Sequence, residues 1–250
     1  MDIQRDFDIV EIPVEGIAAY WLSIHKLLDA KRNAKTLERE AEYTSEPFIR
    51  HLLELSSSSF DEPRFRALAE RKRDTLLLEL SRRLDLMRLA LLDMIGNENP
   101  RRTLAKMTAK FAAPPMSDDR ALELAQELGA AAGDGAAAGE NPRLFNVDHK
   151  LRNDQLLVVL LFYACWTRKE GKMALAGFLE FIRSAFFLEG LALVADGFDG
   201  PFVRKRMRVH RDAILEETRL KMDMSTEMCL GVRQKLSYEE LFRIARAFMV

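Results

Sequence analysis

Two cysteines in 250 residues, Cys165 and Cys229, leave nothing from which to build a disulfide framework or a thiolate metal site. Both sit inside apolar helical patterns and read as buried free thiols. Histidine is as scarce: His25, His51, His149 and His210 stand far apart, and none follows a glutamate at the spacing of a bundle di-metal site. The chain has no Gly-rich phosphate loop, no G-x-S-x-G and no H-E-x-x-H. Its adjacent carboxylates in "LEET", 215–218, point about 100° apart on a helix and make a poor acid/base pair. Catalysis is therefore not expected, and neither is a cofactor or a metal.

Charge of one sign is also missing. Lys+Arg total 38 against 39 Asp+Glu, a formal net charge of -1, so no overall field favours nucleic acid. The longest uncharged apolar run, "LLVVLLFYACW" at 156–166, falls well short of the roughly 20 residues that cross a bilayer. The acidic opening "MDIQRDFDIVEIPVEG" has no apolar signal core. These absences predict a soluble, cytoplasmic protein without integral membrane insertion and without nucleic-acid binding.

What is present is helix. Apolar residues make up 48% of the chain, enough for a sizeable core, and their spacing predicts an all-α fold. One short strand at "FDIVEIPV", 7–14, is the exception. The strongest element runs from Pro63 to Ile95 without internal glycine or proline. There Leu77, Leu80, Leu84, Met87, Leu91 and Met94 step by threes and fours along one face, as a long core helix or a coiled-coil stalk requires. Gly96 is placed to end it with a positive φ. Residues 113–143 change composition: one short helix capped by Ser117, then an Ala/Gly-rich stretch, 129–142, read as a flexible linker. The expected organisation is an N-terminal helical region, 1–112, a linker, 113–143, and a C-terminal helical region, 144–250. No residue-level repeat is evident between the two regions. The last helix opens with Ser237 and Glu240 in capping-box register.

Two features carry functional expectation. The run "RKRMRVHR", 204–211, places Arg204, Arg208 and Arg211 at i, i+4 and i+7 on one helix face. It reads either as a solvated face or as a docking surface for an acidic protein partner. The second feature is glycine within apolar helix. Gly171, Gly177 and Gly190 suggest sites where another backbone or side chain packs close. The following "DGFDG" supplies a C-cap at Gly197 and an N-cap at Asp199.

Arg168, Gly171 and Leu175, then Phe186, Gly190, Leu191, Leu193, Val194, Asp196, Gly197 and Asp199, then Val203 and Arg204 together resemble the cytoplasmic region of MotA, the flagellar stator subunit of the MotA/TolQ/ExbB proton-channel superfamily. The resemblance spans about 155–206. It implies a non-catalytic helical accessory of the flagellar motor or a related stator system. Its partners would be rotor or stator proteins, met through Arg168 and the arginine stripe, with self-association left open. Lacking spans, the chain carries over no proton-channel residue, and the acidic position after Leu175 is Ala176. A helical adaptor or regulator unrelated to motility is the alternative.

Overall fold

The computed structural model describes residues 7–31, 35–133 and 142–249. Among them every regular element is helical: α1 (Val14–Lys31), α2 (Lys35–Tyr43), α3 (Pro47–Ser56), α4 (Glu62–Ile95), α5 (Pro100–Thr108), α6 (Asp118–Gly133), α7 (Asn153–Glu170), α8 (Ala185–Ala195), α9 (Gly200–Arg233) and α10 (Tyr238–Arg246). Two 3-10 stretches, Pro142–Phe145 and Lys172–Phe181, complete the set. The expected strand at 7–14 is not formed. Ile9 is buried there instead, and its N–H donates to the Glu46 carboxylate at 3.2 Å.

Among the described residues, five successive elements of the first half recur in order in the second, and α6 stands outside the pairing. Helix α4 and helix α9 are each 34 residues long, α5 and α10 each 9, α1 and α7 each 18. Helices α3 and α8 correspond, as do α2 and the 3-10 stretch Lys172–Phe181. Both long helices stop in the same way. After α4, Asn97 takes φ 51° while Glu98 N–H donates to Asp93 O and Asn97 N–H to Met94 O. After α9, Lys235 takes φ 57° while Leu236 N–H donates to Gly231 O and Lys235 N–H to Val232 O. Each is a Schellman cap, followed at once by a side-chain N-cap, Asn99 or Ser237. A constant register then aligns Phe60-Asp61-x-Pro63 with Phe198-Asp199-x-Pro201, Arg66 with Arg204, and Arg73-Asp74 with Arg211-Asp212. The positive φ at α4's end thus belongs to Asn97 rather than Gly96, because the cap puts the left-handed residue one position further on.

The compact units do not coincide with the two copies. One unit comprises 1–79 with 213–250, the other 80–212, so each combines the start of one copy with the end of the other. The first unit's core shows why both termini belong to it. Trp21, Phe48 and Phe65 from the start of the chain are buried in one cluster with Met224, Met228 and Leu241 from its end. Residues 113–143, expected to join two regions, fall inside the second unit. There α6 packs on α7, buries Ala121, Leu122 and Ala125, and extends through 129–133; residues 134–141 lie outside the described set. Helix α7 has every residue from Leu156 to Ala164 buried, as a helix that is apolar all round must be. Phe145 and Phe178 pack against Phe162 of this helix with ring centroids 5.3–5.4 Å apart, and Tyr163 donates its hydroxyl to Phe145 O at 2.6 Å. All six residues of the α4 stripe, Leu77 to Met94, are buried, which makes α4 a core helix.

Candidate functional site: a basic flank and cleft on α9

Helix α9 starts where the turn geometry of α8 allows. Gly197, at φ 80°, closes a Schellman cap on α8, with Phe198 N–H on Leu193 O, and the Asp199 carboxylate then accepts from Phe202 N–H at 2.7 Å. The first three turns of α9, in the second unit, bury Val203 and Met207 at i and i+4. Helical geometry therefore fixes the flanks. Arg204, Arg208 and Arg211 lie on one side of that buried face; Phe202, Arg206 and Val209 lie on the other.

The three arginines have different surroundings. Arg211 is tied to α4: its guanidinium donates to Asp85 at 2.6 Å and to Asp212 at 2.9 Å. Burial works against its charge, yet these carboxylates hold its pKa above the ordinary arginine value. Arg204 lines an open cleft of about 260 Å³ with Asp85, Arg88, Leu89, Leu92 and Asp93 of α4 and with Lys110. Arg208 is exposed. Arg168, exposed at the end of α7, donates to Asn97 O at 3.3 Å and is not among the residues lining that cleft. The structure thus brings Arg204 and Arg211 to α4, leaves Arg208 outward, and holds Arg168 against the turn that ends α4.

The glycines divide by task. A Cβ on Gly190 would overlap Leu91 Cδ1, so α8 approaches α4 through the missing side chain. Gly171 meets nothing within 4 Å; it supplies φ 86° where α7 stops, and a 3-10 stretch rather than more α-helix follows. Gly177, in that stretch, is exposed and uncrowded. Close packing accounts for Gly190 alone among the three. Asp196 is the C-cap of α8, its N–H on Ala192 O.

Sequence reasoning missed one surface feature. Phe198 and Phe202, both more than 40% exposed, stack at 5.1 Å between centroids at the head of α9. Their i, i+4 spacing was visible, but only the turn at Gly197 brings the first ring against the second. No described helix is long and apolar enough to cross a membrane. Comparison with family models, with curated proteins and with solved structures returns no match.

Proposed function

We propose that the chain is a non-catalytic helical protein-interaction module that docks an acidic protein partner through the basic flank of α9. One observation carries this reading: equivalent arginines in the two copies differ in whether they are neutralised. In the first unit Arg66 pairs with Glu62 at 2.8 Å and also with Glu227, and these bonds raise its pKa. The residues at the matching positions around Arg204 are Gly200 and Leu89. Arg208, likewise, replaces Glu70 of the first copy. Cations that the fold does not neutralise steer association with an opposite charge.

The resemblance to MotA makes a rotor or stator component the proposed partner. A specific observation favours the alternative, an adaptor unrelated to motility. Of the residues that carry the resemblance, Phe186, Leu191, Leu193, Asp199 and Arg204 recur in the first copy as Phe48, Leu53, Leu55, Asp61 and Arg66, so they belong to the repeat of this fold. The experiment is a pull-down with Arg204→Glu/Arg208→Glu beside the wild type. The variant is expected to melt normally, since exposed helix positions tolerate such changes within about 0.5 kcal/mol, and to lose its partners. Retention of every partner would overturn the docking reading. Capture of motor components, or of none, separates the two partners.

A further inference from the structure

We infer that the cleft between α4 and α9 in the second unit is the socket for a partner's carboxylate, taking the place that Glu227 occupies on Arg66. The inference rests on the docking reading above and assigns it a contact point. The first unit provides the template. There Arg66 holds Glu227 through both terminal nitrogens and Glu62 through Nε at 2.9 Å, while Arg73 holds Asp223 at 2.5 Å. The second unit keeps one of these contacts and drops the other. Arg211–Asp85, at 2.6 Å, is the exact counterpart of Arg73–Asp223, so the two helix segments meet in the same register. With that register kept, Arg204 and Leu89, the counterparts of Arg66 and Glu227, both line the cleft.

Charge around the cleft points the same way. Asp85 is engaged by Arg211 and, at 3.3 Å, by Arg88. Asp93 accepts from Thr103 at 2.9 Å and from Lys106 at 3.0 Å, and Lys106 is shared with Glu98. Both lining carboxylates are therefore already matched, and Arg204 and Lys110 remain in excess. Arg88 and Lys110 stand where the first unit has Thr226 and Phe248, so two cations accompany the loss of the glutamate. Leu89 and Leu92 give the cleft an apolar wall. A glutamate flanked by an aliphatic residue, on an acidic partner segment, matches this lining in charge and in surface.

The test titrates the full chain, methyl-labelled on leucine, with a synthetic peptide carrying Glu-Leu-Glu. Perturbation of the Leu89 and Leu92 methyls is expected, with affinity falling about tenfold or more in Leu89→Glu, which rebuilds the first unit's pair internally. Arg204→Gln should weaken binding similarly, and it keeps the test open if the first variant folds poorly. Undiminished peptide binding by both variants overturns the socket. So does a response of these methyls to inorganic phosphate with none to the peptide. Loss of partner capture in Arg208→Glu together with unchanged capture in Leu89→Glu would overturn the socket while leaving the docking face standing.

Discussion

At the scale of single residues, the two copies show how a core exchanges volume. Cys229 packs on Leu52, its thiol 3.5 Å from Leu52 O, and burial pushes that thiol's pKa up to about 12. The equivalent positions in the other unit are Leu91 and Gly190, so the large and small partners are swapped. Gly190→Leu should overpack and cost roughly 1–3 kcal/mol. Adding Leu91→Cys should recover most of that loss, because contacting sites are not additive. Chemical denaturation of both variants measures it, and a double mutant no more stable than the single one would refute the equivalence. His51 offers a second test. Burial is the main cause lowering its pKa, with the Lys72 charge adding to it and a backbone hydrogen bond at Leu68 opposing. The unfolded chain then takes up a proton first, near the ordinary histidine value of about 6.5. The stability His51 supports is therefore complete above that pH and is lost as pH falls through it toward the lower folded value. His51→Gln should flatten the pH dependence of melting in that interval, and an unchanged slope would count against it.

At the scale of elements, the caps decide where helices stop. Gly197→Ala should destabilise by about 1 kcal/mol, since φ 80° strains any residue with a Cβ, while Gly177→Ala should be near neutral. Ser237→Ala should also cost about 1 kcal/mol by removing a capping box whose two reciprocal bonds are both present. Thermal melting of the three variants checks the order. Much of this level was legible beforehand. The long helix, the Ser237 cap, the Asp199 cap and the Gly197 turn follow from spacing and side-chain chemistry within a few residues. Residues 129–133 were misread because an Ala/Gly composition does not by itself stop a helix that is already anchored upstream by buried Ala121, Leu122 and Ala125.

At the scale of the molecule, the duplication was hidden because the copies preserve character more than identity. Pairs such as Phe65 and Val203, Ala69 and Met207, or Leu84 and Met222 are equally buried yet chemically different, and swaps like Leu52 for Gly190 break any residue match. Phe-Asp-x-Pro, a few arginines and scattered positions such as Phe48 and Phe186, Leu53 and Leu191, or Asp85 and Asp223 repeat, too sparsely to align without helix lengths and caps. For the same reason the arginine stripe could be read from its spacing, but not which of its arginines find carboxylates among the described residues. That depends on Asp85 and Leu89, more than a hundred residues away in sequence. Limited proteolysis should report the exchange. A cut within 134–141 should leave two fragments that stay associated until denatured, because each unit contains parts of both. Fragments that separate in native buffer would contradict it. The central claim, that α9 carries cations the fold does not need, is tested most directly by giving Arg204 the two carboxylates that Arg66 has. Gly200→Glu/Leu89→Glu should melt no lower than wild type, helped by a negative charge in the first turn of α9, and should lose partner recovery in a pull-down. A variant that folds as well as the wild type and recovers its partner in full would contradict the account.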